Sequence, residues 1–173
     1  RSYSSCAVIL HRSALGYEKI FDGTVGPGST CLQKGTFANL RGALVSPIAT
    51  GPSELVTIVK GISGARDRLL KISALPGGGY ATDLRELPMS FDETLSSVWG
   101  VSSNDLWMVI LPGITSGAVL RGTNVWDDAG TFDFSTVALN GAPNDHKLTQ
   151  IRGTSNSNLW VVGAGIALHQ TTP

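Results

Sequence analysis

Short apolar runs separated by turn residues recur along the chain. Taken together, the runs are rich in Val, Ile and Trp and are bounded by Gly, Pro, Asn or Ser, whereas helical periodicity is nearly absent. Some runs, such as Trp107–Ile110, are apolar at every position, and a strand of that kind needs cover on both faces. The pattern predicts an all-β fold of stacked sheets, with candidate strands at 7–10, 17–21, 55–59, 69–74, 95–99, 106–110, 118–120, 132–137, 148–152, 159–162 and 166–169.

One segment of the chain occurs twice. Leu95–Val109 returns as Leu148–Val162, with the same Leu, Gly, Ser, Leu, Trp and Val at matching positions, and Val56–Ser63 is interpreted as a degenerate third copy. A repeat of roughly 40 to 50 residues with several strands and turns is typical of propeller blades or of a stacked β array. We predict a single β-propeller-like domain over 1–173, with approximate repeats at 1–54 (degenerate), 55–94, 95–147 and 148–173.

The repeat also resembles a known family. The pattern Leu-x-x-Val-Trp-Gly-x-Ser-x-x-Asp-Leu-Trp-x-Val at 95–109, followed by Gly-x-x-Leu-Arg at 117–121, resembles the repeat of secreted bacterial β-propeller proteins, which are abundant in myxobacteria and distantly related to Asp-box and photosystem-assembly-factor-like propellers. The resemblance implies four-stranded blades. The Asp-box pattern Ser-x-Asp-x-Gly-x-Thr-Trp is not met at 103–107, so sialidase-type chemistry is not implied.

The length of the chain limits the number of blades. About three to four blades of four strands fit into 173 residues, whereas closed propellers have roughly four to eight blades. The chain is therefore either a small, irregular closed ring or an incomplete ring whose remaining blades lie in another chain. Because unpaired strand edges are normally covered, we favour a segment completed by a partner chain.

The charge balance and the lengths of the apolar runs argue against two kinds of partner, nucleic acid and the membrane interior. Thirteen Lys and Arg balance thirteen Asp and Glu, and charged residues make up only 15% of the chain. A nucleic-acid binder normally presents a basic face, so we expect no nucleic-acid partner. No run of about 18 apolar residues is present, so we expect no membrane span.

The low charge and the many Ser, Thr and Gly residues favour export. The chain starts at Arg1 without a charged-then-apolar leader, so either a leader was removed or the segment was cut from something longer. Cys6 and Cys31 lie in a region rich in Gly, Ser and Thr; they would pair in an exported protein and stay as thiols in a cytosolic one. We predict a Cys6–Cys31 disulfide and an extracellular, cell-surface or periplasmic location.

The tryptophans divide into two groups. Trp107 and Trp160 occupy the same repeat position, and an aromatic residue that recurs in each repeat usually fills the core, so we expect both to pack between blades. Trp99 is different, because its counterparts in the other copies are interpreted as Arg152 and Lys60. A position that alternates between aromatic and cationic favours a rim, where Trp99 is a candidate ligand-binding residue.

A second group of candidate ligand-binding residues is Trp126, Asp127 and Asp128. A tryptophan beside two carboxylates can hold a sugar or a cation. Asp127 and Asp128, with Asp133 nearby, could also supply part of a calcium site, but the spacing of a dedicated calcium loop is absent and solvated turn residues are the simpler interpretation. We expect no other cofactor, because the three histidines lack metal-ligand spacing.

The function expected from these observations is that of a non-enzymatic binding or structural module outside the cytoplasm. A propeller scaffold would present loops for protein or glycan recognition. Two alternatives stay open: an accessory subunit of a larger surface assembly, and a glycan-active hydrolase or lyase that uses Asp127, Asp128 or Asp133. We assign no catalytic residue and no metal ligand.

Overall fold

The regular structure of the protein is entirely β-strand in the part of the chain that is described. The structure, a computed structural model, describes residues 8–13, 16–22, 24–25, 31–32, 43–61, 65–90, 92–112, 117–135, 138–139 and 142–170. All strand pairs within these ranges are antiparallel, so the all-β prediction is confirmed. These ranges contain no helix of the length and apolar character that a membrane crossing requires.

Seventeen strands are present among the described residues. In chain order they are β1 (Val8–Ser13), β2 (Gly16–Asp22), β3 (Thr24–Val25), β4 (Cys31–Leu32), β5 (Leu44–Gly51), β6 (Glu54–Val59), β7 (Arg68–Ala74), β8 (Tyr80–Glu86), β9 (Glu93–Ser102), β10 (Asp105–Pro112), β11 (Ala118–Thr123), β12 (Thr131–Ser135), β13 (Ala138–Leu139), β14 (Ala142–Pro143), β15 (Leu148–Ser155), β16 (Asn158–Gly163) and β17 (Ile166–Gln170).

Three sheets and one hairpin carry most of these strands. Strands β5 to β8 form the first sheet and β9 to β12 the second, each with its strands paired in chain order. Strands β15 to β17 form the third sheet, β1 and β2 form the N-terminal hairpin, and two short pairs, β3–β4 and β13–β14, complete the pairing. In each of the three sheets a two-residue turn, here named the first turn, joins the first strand to the second: 52–53, 103–104 and 156–157.

The hairpin and the three sheets stack in chain order, and each contact between neighbours is called a seam. In the hairpin seam, Ile9 and Ile20 pack on Val59, Leu70 and Ile72 of the first sheet. The first seam joins the first and second sheets through Val56, Ile58, Leu69, Leu95, Val98, Leu106, Met108, Ile110 and Leu120. The second seam joins the second and third sheets through Trp107, Val109, Val119, Leu148, Ile151, Leu159 and Val161.

Strand β10 explains why its sequence is apolar at every position. Leu106 and Met108 face the first sheet, whereas Trp107 and Val109 face the third, and all four are buried. Alternate side chains of a strand point to opposite faces, so a sheet between two others needs apolar residues at both parities. The expectation that two-sided apolar strands are sandwiched is therefore confirmed for the second sheet.

Serines on the first strands connect adjacent sheets in a repeated way. The hydroxyl of Ser46 on β5 accepts the backbone N–H of Val98 on β9 at 3.1 Å. One sheet further along, the hydroxyl of Ser97 on β9 accepts the backbone N–H of Ile151 on β15 at 3.2 Å. Ser46 has a positive φ of 53° and lies at a register shift of β5, which belongs to a β-bulge that redirects the strand. The same contact thus fixes two successive pairs of first strands.

A buried carboxylate also holds the first two sheets together. Asp67, which precedes β7, is only 5% exposed. Its Oδ1 accepts the backbone N–H of Gly61 at 2.8 Å, and its Oδ2 accepts that of Leu95 at 2.8 Å and the ammonium of Lys60. The Lys60 ammonium also donates to the Leu95 carbonyl at 2.9 Å. The start of β9 is therefore fixed on the loop between β6 and β7.

The predicted third copy of the repeat is placed in the wrong strand. Val56–Ser63 was aligned with the first strand of the clear copies, but β6 pairs with both β5 and β7 and is the second strand of its sheet. The counterpart of Trp99 in the first sheet is accordingly Ile48, which lies opposite Val56 as Trp99 lies opposite Trp107, and is not Lys60. A short apolar run ending in glycine looks alike in either strand, so the sequence pattern does not fix the alignment.

The extents of the sheets differ in part from the expected repeats. The first sheet spans Leu44–Glu86, so the expected boundary at residue 55 falls inside β6. The second sheet, Glu93–Ser135, and the third sheet, Leu148–Gln170, lie close to the expected repeats at 95–147 and 148–173. The predicted Cys6–Cys31 disulfide lies outside the described part of the chain, because Cys6 and the Cys31 side chain are not described.

Candidate functional site

The loop from 124 to 130, between β11 and β12, carries three of the four candidate residues. Asn124 takes a positive φ of 53°, and its carbonyl accepts the N–H of Asp127 at 2.9 Å. The Asp127 carbonyl in turn accepts the N–H of Gly130 at 3.0 Å, so two successive turns shape the loop. This leaves the side chains of Asp127 and Asp128 exposed to solvent, whereas Val125 is buried.

Trp126 packs into the outer part of the first seam. Its indole N–H donates to the Ser103 carbonyl at 2.8 Å, and the side chain packs against the core between the first and second sheets. The ammonium of Lys71 lies 4.9 Å from the centre of the Trp126 ring and also pairs with Asp83 at 3.1 Å. A half-buried ring with a cation over one face contributes to the packing of the two sheets.

A shallow cleft, here named the seam cleft, opens beside this loop. It has a volume of about 480 Å³ and is lined by Arg85, Glu86, Leu87, Pro88, Gly130 and Phe132. Arg85 donates through Nη2 to the Asp127 carbonyl at 3.1 Å, and its guanidinium lies 5.9 Å from the centre of the Phe132 ring. Its Nε is buried and has no hydrogen-bond partner among the described residues. The seam cleft combines the guanidinium of Arg85 with the aromatic ring of Phe132.

Trp99 lies in the second seam, whereas Trp126 of the 124–130 loop lies in the first. It faces Trp107 across β9 and β10 and packs with the core between the second and third sheets. A Cβ on Gly153 of β15 would come within 3.3 Å of the Trp99 ring, so this glycine makes room for the indole. The structure therefore brings Trp126, Asp127 and Asp128 together and places Trp99 in the other seam.

Trp107 belongs to a hydrogen-bonded network across the second seam that the sequence did not reveal. Its indole N–H donates to Oδ1 of Asn156, in the first turn of the third sheet, at 2.9 Å. Nδ2 of Asn156 donates to Asp105 at 2.5 Å, and Asp105 pairs with Arg121 at 3.3 Å. The Arg121 guanidinium lies 5.1 Å from the centre of the Trp107 ring. These residues are separated by up to about fifty positions, and only the repeat of the Leu-Trp strand hinted at the contact.

Trp160 occupies the position of Trp107 in the third sheet but is 48% exposed, whereas Trp107 is 4% exposed. The expectation that both tryptophans pack between sheets is therefore correct for Trp107 and wrong for Trp160. The reason is that Trp107 has the third sheet on its face, whereas no described residues form a further sheet over Trp160. The Trp160 ring stacks instead on His169, with centroids 4.1 Å apart and planes 10° apart.

A second cleft lies in the hairpin seam. It has a volume of about 250 Å³, and apolar residues such as Ile9, Leu55 and Ile72 line most of it. At its edge the Tyr80 hydroxyl donates to Oε2 of Glu18 at 3.0 Å and lies 3.0 Å from Nδ1 of His11. Desolvation, followed by the hydrogen bond and the negative charge of Glu18, raises the pKa of Tyr80.

The acidic residues do not gather into a metal site in the structure. No three His, Cys, Asp or Glu side chains among the residues that the structure describes are grouped as metal ligands. Asp133 lies exposed on β12, opposite Arg121 of β11, and Asp128 is exposed on the loop. The calcium alternative for Asp127 and Asp128 thus has no assembled set of carboxylates in this part of the chain.

Comparison with protein-family models, with curated proteins and with solved structures finds no match to this chain. What the structure establishes by itself is the class, an all-β protein of stacked antiparallel sheets with an internal repeat.

Proposed function

We propose that this protein is a non-enzymatic binding or structural module of β-propeller-like architecture that acts outside the cytoplasm. The architecture is supported by two four-stranded sheets and a three-stranded sheet that stack face to face in chain order. It is further supported by the serine contact that recurs between successive first strands. The resemblance of the repeat to secreted bacterial propellers and the low charge content favour the location outside the cytoplasm.

The seam cleft and the adjoining loop are the proposed recognition surface for a glycan or a protein segment. The observation that carries this proposal is that Arg85 and Phe132 line the seam cleft together, with the guanidinium 5.9 Å from the centre of the aromatic ring. A hydroxyl or carbonyl oxygen of a ligand would accept a hydrogen bond from the guanidinium while an apolar part lies on the ring. Asp127 and Asp128 would add exposed acceptors for sugar hydroxyls or for a basic side chain.

The experiment is a binding screen of the full chain on glycan and peptide arrays, followed by titration of each hit. Arg85→Met and Asp128→Asn each reduce the affinity for a hit about tenfold, because a single hydrogen bond to a charged group contributes about 1.5 kcal/mol or more. Asp145→Asn, which changes another exposed carboxylate, one that precedes the third sheet, leaves the affinity unchanged. Hits that are insensitive to Arg85→Met overturn the assignment of the seam cleft.

The enzyme alternative has a separate test. Two carboxyl groups of a glycosidase face each other across a cleft, and one of them sits in an environment that raises its pKa. Asp127 and Asp128 are instead consecutive residues of an exposed turn. Turnover of any glycoside that disappears in Asp128→Asn would contradict the non-enzymatic proposal.

The accessory-subunit alternative is favoured by a different observation. Trp160 and Val162 expose apolar surface on the outer face of the third sheet, where a neighbouring chain of a larger assembly could pack.

A further inference from the structure

The outer face of the third sheet exposes residues whose counterparts in the second sheet are buried. Trp160 is 48% and Val162 36% exposed. Their counterparts, Trp107 and Val109, are 4% and 0% exposed because the third sheet covers them. The register supports the correspondence, since Trp107 lies opposite Arg121 on the third strand of its sheet and Trp160 lies opposite His169 on the third strand of its own.

The polar contacts of Trp160 reproduce one half of the arrangement around Trp107. In the second sheet, Asp105 and Arg121 pair beside the Trp107 ring. In the third sheet, Oδ1 of Asn158 lies 2.7 Å from Nε2 of His169, and His169 stacks on Trp160. Asn158 and His169 thus occupy the register positions of Asp105 and Arg121. Within its own sheet, each tryptophan ring therefore lies against the side chain of the third-strand residue opposite it.

The other half of the arrangement comes from the neighbouring sheet. Asn156, in the first turn of the third sheet, accepts the indole N–H of Trp107. For the Trp160 indole N–H, no acceptor is present among the described residues, which end at Gln170. By analogy with Trp107, the acceptor that the Trp160 indole N–H lacks is an amide oxygen in the first turn of a following sheet.

The contacts between first strands also stop at the third sheet. Ser46 accepts a backbone N–H from β9, and Ser97 accepts one from β15. Gln150 is the next member, because it lies opposite Val162 as Ser97 lies opposite Val109. Its side chain is exposed and carries an amide oxygen that can accept a backbone N–H.

We propose that the outer face of the third sheet, formed by Gln150, Asn158, Trp160, Val162 and His169, is a docking surface for a further sheet of this chain's own repeat type. That sheet presents an amide oxygen in its first turn to the Trp160 indole N–H and a backbone N–H of its first strand to Gln150. The occupant follows from continuity with the second seam, where a sheet of this type makes both contacts. This inference names the partner of the structural module proposed above and rests on that proposal.

The test extends the full chain by one sheet. A tandem protein carries a second copy of residues 136–170 after Gln170, with the copied tryptophan changed to Phe so that the indole N–H signal of Trp160 is assignable. We expect hydrogen exchange at that indole to slow about tenfold or more relative to the 173-residue chain, because burial beneath a folded sheet protects an N–H group. A matched tandem protein with the copied Asn156 changed to Ala loses most of this protection.

A stability comparison tests the same contact without the indole signal. In the 173-residue chain, Trp160→Thr changes the unfolding midpoint much less than Trp107→Thr does, because only Trp107 is covered. In the tandem protein, Trp160→Thr becomes as costly as Trp107→Thr. An added sheet that stays unstructured by circular dichroism, or a Trp160 indole that exchanges as fast in the tandem protein as in the single chain, overturns the proposal.

Sedimentation of the 173-residue chain tests whether a second copy of the whole chain, and not a further sheet, covers this face. Self-association at micromolar concentration that Trp160→Thr abolishes would mean that a second copy of the whole chain covers this face, which also overturns the proposal. The ligand screen on the seam cleft is independent, since Arg85 lies in the first sheet and Trp160 on the outer face of the third. A failed ligand screen therefore says nothing against docking on the third sheet, and a failed tandem protein says nothing against binding in the seam cleft.

Discussion

The buried carboxylate of Asp67 gives a sharp prediction about how the first two sheets are held together. Asp67→Asn keeps the shape of the side chain but replaces one carboxylate oxygen with an NH₂ group. Oδ1 accepts a hydrogen bond from Gly61, and Oδ2 accepts hydrogen bonds from Leu95 and Lys60. One of these acceptors is therefore lost whichever way the new amide turns. Its NH₂ group then faces a donor, and the Lys60 ammonium loses its counter-ion.

The magnitude follows from these losses. A buried donor left without its acceptor costs about 1–3 kcal/mol, and removal of one partner from a fully buried ion pair costs about 3–5 kcal/mol. Lys60 is 30% exposed, so water screens part of the second effect. We expect Asp67→Asn to lower the free energy of unfolding by about 2–4 kcal/mol.

The assay is urea denaturation followed by tryptophan fluorescence, with the midpoint and the slope compared between variants. Asp83→Asn is the matched control, because Asp83 also pairs with a lysine but is 58% exposed, so its loss costs about 1 kcal/mol or less. The Lys60→Met, Asp67→Asn double variant is expected to be less destabilised than the sum of the single variants. An Asp67→Asn protein as stable as Asp83→Asn would mean that the buried carboxylate does not hold the first two sheets together.

Three further predictions concern other parts of the stack. Trp107→Ala lowers the free energy of unfolding by about 3–5 kcal/mol and Trp160→Ala by about 1 kcal/mol or less, because only the first ring is buried; chemical denaturation measures both. Gly153→Ala costs about 1–3 kcal/mol in the same assay, since a Cβ would lie 2.6 Å from a carbonyl oxygen of the paired strand. Glu18→Gln lowers the raised pKa of Tyr80 in a phenolate absorbance titration; the native state holds this proton more tightly, so stability falls as pH rises above 10 in the parent protein and falls less in the variant.

The sequence predicted the class of the fold and the strands whose side chains are uniformly apolar. β10 and β16 were expected at nearly their observed positions, because a run such as Leu-Trp-Met-Val-Ile between turn residues is strongly β-forming. β5 was missed, since Pro47 lies inside it and proline argues against a strand unless a bulge is present, as it is here. β8 was missed because its polar residues alternate on an exposed outer strand.

The candidate site was predictable only where its residues are neighbours in the sequence. Trp126, Asp127 and Asp128 share one loop, so their proximity required no knowledge of the fold. Arg85 reaches that loop from the first sheet, and no local pattern encodes such a contact. The exposure of Trp160 was likewise beyond the sequence, because its repeat position matches that of the buried Trp107 and only the presence of a covering sheet distinguishes the two.

The most direct test of the stacked sheets is the environment of the Trp107 indole in solution. We expect nuclear Overhauser contacts from its N–H to the Asn156 side-chain amide and from its ring to methyl groups of Leu148 and Leu159, which belong to the next sheet. An indole N–H that exchanges rapidly with water and shows no contact to residues 148–161 would mean that the third sheet does not pack on Trp107.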